Sequence, residues 1–291
     1  MSTTTLPTPA DLTITPRDRK FERGELNPRL WHGGNATATA IYNALSTTFP
    51  AGEAFFVESV RQFREGAPPK LAAEIKGFTT QEAIHSREHA AFNRRASDAG
   101  YDLTKLEARV EQRLSITKTR PPIASLAATM ALEHFTAIFA HELLADPRHL
   151  VAAEPEAQAM WRWHAIEEIE HKGVAYDTWI HATRHWTRWK RWKVKANVML
   201  LATRNFRVDR TRGAIELLRQ DGITGFKAWF GLLRFMWVTP GMMRKIFGAW
   251  AAFFLPGFHP WNGDDRYLID RYEAEAALGT ESARKVRRAA A

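Results

Sequence analysis

Two stretches of the chain place a glutamate three residues before a histidine. One is Gln81-Glu82-Ala83-Ile84-His85, followed by His89; the other is His164-Ala165-Ile166-Glu167-Glu168-Ile169-Glu170-His171. On a helix, positions i and i+3 share a face about a turn apart, so Glu82 with His85, and Glu168 with His171, can each present a carboxylate and an imidazole to one point. Two further glutamates sit in apolar surroundings: Glu133 beside Leu132 and Phe135, and Glu53 in Gly52-Glu53-Ala54-Phe55-Phe56. An unpaired carboxylate at Glu133, amid an apolar helix, is costly or takes up a proton, so it needs a partner. One glutamate from each of two helices and Glu-x-x-His from each of two more is the donor set of dinuclear centres in ferritin-like bundles. Four carboxylates neutralise two divalent ions, and two imidazoles offer each a nitrogen. Glu53, Glu82, His85, Glu133, Glu168 and His171 are therefore the expected metal ligands, and the four glutamates the catalytic candidates.

Either Glu-x-x-His pair alone reads as a solvated helix face in ion pairs with Arg or Lys. Two pairs together, with Glu53 and Glu133, reverse that preference. Glu58 competes with Glu53 on the same helix. His89 lies seven residues after Glu82 and His164 seven before His171, so each helix carries another histidine on the same side, as an extra ligand or a hydrogen-bond partner to one. Glu167 could replace Glu168 or bridge. Glu88, His134, His141 and Glu170 point elsewhere on helical geometry.

The elements that must position these groups are helical. Few stretches alternate β-branched residues, and the pattern from 29 to 184 is of long runs rich in Ala, Glu, Arg and Leu. The patterning predicts a helix from Pro50 to near Gly66, one from Lys70 to Asp98, a charged one from Leu103 to Lys118, an apolar central one from Ile123 to Leu144, and one from Glu154 to Thr183. The expected fold is all-α, a ferritin-like four-helix bundle with extra C-terminal helices. Residues 1–28 read as a flexible lead-in without a catalytic role, 29–184 as the metal-binding bundle, and 185–291 as a basic, Trp-rich appendage packed on it.

Composition narrows the chemistry. Over 291 residues, 45% are hydrophobic, enough for a sizeable core. The absence of cysteine excludes disulfides, thiolate nucleophiles, Cys-type zinc sites and iron–sulfur clusters. Metal must then be held by nitrogen and oxygen, with Fe best matched to so many carboxylates and Mn or Zn next. No basic start followed by an apolar run opens the chain, so the expected setting is a reducing, cytoplasmic one.

Four motifs carry a resemblance. Phe49-Pro50-Ala51-Gly52-Glu53, Gln81-Glu82-Ala83-Ile84-His85-Ser86 with His89 and Asn93, Ala131-Leu132-Glu133-His134-Phe135-Thr136, and the run from Trp163 to Lys172 resemble a bacterial family labelled "predicted metal-dependent hydrolase". The later Phe258-His259-Pro260-Trp261 is similar to that family's closing motif, and the likeness spans about residues 25 to 265. It implies hydrolysis, in which a metal lowers the pKa of water. The donor set, by contrast, leans slightly toward a non-haem di-iron oxygenase or oxidase. A metal-binding protein without turnover is the third reading.

The tail has its own chemistry. Ten of the eleven Trp lie at or beyond residue 161, and Arg184 to Arg212 holds ten Lys or Arg against the single acid Asp209. An apolar stretch from Phe226 to Phe258 follows, punctuated by Lys227, Arg234, Arg244 and Lys245. It has no run of uncharged residues long enough to span a bilayer. Aromatic and basic residues on opposite sides of a helix suit an anionic membrane surface better than nucleic acid. The expected partners are a small, apolar or lipid-like substrate and the inner face of a membrane. His259-Pro260-Trp261 is expected to dock on the bundle rather than to bind metal. Nothing in the sequence indicates an oligomeric state.

Overall fold

The computed structural model describes residues 8–21 and 29–275, and these are all-α, with no strand among them. The helices are α1 (Ala36–Ser46), α2 (Phe49–Arg61), α3 (Pro69–Asp98), α4 (Thr104–Lys118), α5 (Pro122–Ala145), α6 (Pro155–His171), α7 (Val174–Ala182), α8 (Arg188–Gln220), α9 (Gly225–Leu233) and α10 (Met242–Ala252). A π-helical turn, Arg234–Val238, joins α9 toward α10, and residues 266–275 are again helical.

Local chemistry sets the boundaries. Proline stands in the first turn of α2, α3, α5 and α6, where its missing N–H costs nothing. The Glu154 side chain accepts from the backbone N–H groups of Glu156 and Ala157 and caps α6. Gly100, at φ +95°, takes the left-handed conformation that ends α3, and a Cβ there would meet Arg29 at 2.7 Å.

α2, α3, α6 and α5 form the frame of the site: α2 packs on α3 and α5, and α6 on α3 and α5. α5 is largely buried, as its apolar composition predicts. It is the one described helix long and apolar enough to cross a bilayer; its most apolar stretch, of mean hydropathy 1.4, is 67% buried among α2, α6, α7, α8 and α10. Phe78, Trp163, Trp179 and Phe253 are fully buried in the main core, each Phe stabilising the fold by about 1.5–3 kcal/mol. A second apolar cluster, with Leu106, Leu217, Leu218 and Leu232, ties α4, α8 and α9 to α1.

The structure departs from the sequence patterning in three places. α1 is an additional helix of eleven residues, capped by the Asn35 side chain accepting from the Ala38 backbone N–H. α2 stops at Arg61 rather than near Gly66. The helix expected from Glu154 to Thr183 is two, α6 and α7, separated at Lys172-Gly173. Gly173 lies against other chain segments there: a Cβ would meet Trp261 Nε1 at 2.8 Å and Thr8 Oγ1 at 2.9 Å.

Residues 8–21 fall within the segment read as a flexible lead-in; residues 1–7 and 22–28 of that segment, and 276–291 of the appendage, lie outside the described residues. The 8–21 segment lies along α3, α6 and α7. Thr8 Oγ1 donates to Asp177 at 2.5 Å, the Phe21 ring lies tilted against Trp163 with centroids 5.4 Å apart, and Arg87 Nη2 donates to Arg19 O at 2.7 Å.

Candidate metal centre

Glu53 comes from α2, Glu82 and His85 from α3, Glu133 from α5, and Glu168 and His171 from α6; all six are buried. Their inner atoms converge. His171 Nε2 lies 3.0 Å from Glu82 Oε1, 3.4 Å from Glu133 Oε2 and 3.6 Å from Glu168 Oε2. His85 Nδ1 lies 3.8 Å from Glu168 Oε1 and 4.0 Å from Glu82 Oε1. Ligand atoms of Glu53, Glu82 and His85 fall within 4.8 Å of one another, as do those of Glu82, Glu168 and His171, so two groups overlap at Glu82.

Hydrogen bonding leaves these inner atoms unused. Both oxygens of Glu53, Glu82 and Glu133, with Glu168 Oε2, His85 Nδ1 and His171 Nε2, are buried and have no hydrogen-bond partner. Buried polar atoms are nearly always satisfied, and a cluster of exceptions at one point is the signature of a site built for cations.

The outer ring atoms, by contrast, are fully engaged. Gln81 Nε2 donates to Glu170 Oε2 at 2.8 Å and to Thr15 O at 3.3 Å, which leaves Gln81 Oε1 to accept from His171 Nδ1–H at 2.9 Å. His171 Nε2 then faces inward, where it holds a proton unless a cation takes its place. His85 Nε2–H donates to Glu167 Oε2 at 2.9 Å, and Glu167 Oε1 accepts the Arg17 backbone N–H at 2.8 Å. Holding the outer nitrogen of an imidazole with an amide or carboxylate is how proteins aim a metal-binding histidine.

A family model described as predicted metal-dependent hydrolase matches residues 15–264, nearly the whole chain. The chain belongs to this family. No curated protein and no solved structure matches it. The question at this cluster is how buried charge is balanced.

Burial, and then the charges of Glu82, Glu168 and Glu133, push Glu53 well above the usual carboxylate range. Burial and the charges of Glu82 and Glu168 do the same to Glu133. For Glu168 burial acts upward, but His171 and His164 hold it well below. For His171 burial acts downward, and Glu168 and Glu82 outweigh it, so its pKa is raised. Burial, with His164 beside it, keeps His85 well below its ordinary value and therefore neutral. The protein groups balance one carboxylate with one imidazolium; the other carboxylates need protons or cations.

The remaining sequence candidates in this metal-dependent hydrolase family member separate clearly. Glu58 is exposed and pairs with Lys118 at 2.8 Å, away from the cluster. Glu167 stands outside it, aiming His85, and burial raises its pKa to about 7 against the opposing Arg17 N–H. His89 and His164 extend a buried chain of hydrogen bonds. Asn93 Nδ2 donates to Ser46 O, Ser46 Oγ to Asn93 Oδ1 at 2.6 Å, His89 Nδ1–H to Ser46 Oγ at 2.8 Å, and His164 Nδ1–H to His89 Nε2 at 2.7 Å. One proton is left for the 2.8 Å contact between His164 Nε2 and Glu168 Oε1. Both histidines also fall within 4.8 Å groupings, His164 with His85 and Glu168, and both with Glu53.

Glu88, His134, His141 and Glu170 lie away from the inner atoms: Glu88 accepts from Phe21 N–H, His134 donates to Ala249 O, His141 contacts Asp265, and Glu170 binds Arg17 and Gln81. His259 contacts Asp177 at 2.9 Å, docking the closing motif on α7. Sequence reasoning missed Gln81 and Arg17. Gln81 sits one turn before His85 on the same face, a signal that was there to use; Arg17 is 150 residues from Glu167, and no local pattern reports it.

A cavity of about 490 Å³ adjoins the cluster, with His164, Ala165 and Glu168 in its wall. The rest is largely apolar, including Phe49, Phe56, Leu132, Phe139 and Phe206. Its volume is that of a small-molecule site.

Proposed function

We propose that the chain is a dinuclear metal-dependent hydrolase acting on an apolar or lipid-like substrate. The observation that carries the reading is the convergence of buried, unpartnered carboxylate and imidazole atoms beside an apolar cavity, in a chain of a predicted hydrolase family. Glu53, Glu82 and His85 would hold one ion, and Glu133, Glu168 and His171 the other, with Glu82 shared. Bound divalent ions supply Lewis acidity and lower the pKa of water. Gln81 and Glu167 hold the two imidazoles in place, and the aromatic cavity wall excludes bulk water. Glu53 has no imidazole within 4.0 Å among the described residues, unlike Glu82, Glu133 and Glu168. An oxygen of Glu53 not given to the metal would take the proton as water attacks. The test is ester hydrolysis by Zn- or Mn-loaded protein over a series of acyl chain lengths; activity that grows with chain length and disappears in Glu82→Ala supports the reading.

The donor set favours a second reading, non-haem di-iron oxidation, because four glutamates and two histidines from helices are the usual di-iron complement. Protein loaded with Fe(II) that consumes O₂ in one stoichiometric turnover, and hydrolyses no ester, would move the assignment to this class. Metal bound without either activity would leave a metal-binding protein.

A peripheral membrane role belongs to the same proposal. Phe226, Phe230, Leu233 and Trp237 follow one another at helical spacing along α9 and the turn after it, and all are exposed, Phe226 to 82%. Lys227, Arg234 and Arg244 are exposed among them. An apolar stripe flanked by cations matches an anionic bilayer at the cytoplasmic face. Flotation with anionic vesicles that is lost in neutral vesicles and in Phe226→Ser/Trp237→Ser supports this; protein that stays unbound throughout removes it.

A further inference from the structure

The cavity carries charges that the metal centre does not use. Arg113, Arg120 and Arg210 line it, against Asp209 and the cluster's own Glu168. Arg113 Nε is paired to Asp209 at 3.0 Å. Arg120, exposed in the connection between α4 and α5, and Arg210, on α8, have no carboxylate within 4.0 Å among the described residues. Arg210 is the more telling. Its Nη1 donates to Ala44 O, and its Nε is buried without a partner. Burial pulls its pKa down to about 10, so it stays cationic at neutral pH within a largely apolar wall. A guanidinium is a planar donor fork that fits carboxylate and phosphate oxygens.

We infer that the cavity takes a single-chain anionic amphiphile, with its alkyl or acyl chain along the aromatic wall and its carboxylate or phosphate at Arg210 and Arg120. A neutral hydrocarbon would leave the buried Arg210 Nε without a partner, and a polar metabolite would not fill a wall built from Phe49, Phe56, Phe139 and Phe206. The inference rests on the proposed function for its use of the neighbouring Glu168 but not for binding itself, which needs no metal.

The experiment is displacement of an environment-sensitive fluorescent fatty acid from the full chain, with and without chelator. The competitors are palmitate, decanoate, hexadecyl phosphate and hexadecanol. The expected result is one site per chain, with each two-carbon extension tightening binding about tenfold and the charged C16 ligands at least about tenfold tighter than hexadecanol. Arg120→Gln, on the surface and safe for folding, and Arg210→Gln, checked by circular dichroism, should each weaken the anions and leave the alcohol unchanged. Ala128→Phe, which fills the cavity from α5, should weaken all of them. A preference for palmitate identifies a free fatty acid and a preference for hexadecyl phosphate a phospho-amphiphile, each upholding the inference. Equal binding of alcohol and anions, arginine variants that change nothing, or no saturable binding overturns it. Metal content measured on the same samples keeps the two failures apart: amphiphile binding without metal sinks the hydrolase reading alone, and metal without amphiphile binding sinks this one alone.

Discussion

His171 donates its Nδ1–H to Gln81 Oε1 at 2.9 Å, and that contact turns Nε2 toward Glu82, Glu133 and Glu168. Gln81 is itself locked by Glu170 and Thr15. Gln81→Leu removes the acceptor while keeping a similar volume. It should weaken metal binding about 10- to 100-fold with the helical signal intact, measured by competition with a chromophoric chelator; unchanged affinity would mean that the outer contact does not aim the ring.

Glu53 and Glu58 lie on one helix, one at 1% exposure inside the cluster and the other in a surface pair with Lys118. Glu53→Ala should lower metal content and activity together. Glu58→Ala should leave both unchanged and move stability by no more than about 0.5 kcal/mol, because exposed ion pairs contribute little. Thermal melts and elemental analysis on the two variants decide between them.

Removing metal should leave Glu53 and Glu133 to hold protons in place of cations. Ligands that bind only the folded state raise its stability by mass action. The melting temperature should therefore fall on chelation and return on adding back a divalent ion, and a melt indifferent to both treatments would contradict a site held by cations.

Lys195 is 5% exposed, and burial lowers its pKa to about 8. Its neighbours are rings, with Phe253 and Phe258 centroids 4.9 and 5.0 Å from Nζ. The folded pKa is depressed below the ordinary lysine value, so the unfolded chain binds more protons between about pH 8 and 10.5, and stability must rise with pH across that window. Lys195→Met should stabilise the protein at pH 7 by about 2 kcal/mol, an advantage that shrinks toward pH 10. Denaturant melts at the two pH values test the sign.

Much of this arrangement is legible in the sequence, and the exceptions have physical causes. The two Glu-x-x-His pairs report a shared helix face because i and i+3 are fixed by helix geometry. Glu133 stands out because a charge in an apolar helix needs a reason. Gly173 itself marks the division of α6 from α7, but its close approach to Trp261 and Thr8, far away in the chain, does not show. Neither does the role of residues 8–21: Arg17 reaches Glu167 and Glu170 through contacts that no periodicity encodes. His89 and His164 are visible as same-side histidines, but the direction of their hydrogen bonds is decided through Ser46, which lies outside either motif.

The central claim is that the buried donors of α2, α3, α5 and α6 exist to hold metal. Elemental analysis of protein purified without added metal, alongside Glu82→Ala and His171→Ala, tests it most directly. The account predicts about two divalent ions per wild-type chain and a marked loss in both variants. A wild-type chain that is folded, metal-free and unable to take up Fe, Mn or Zn would contradict it.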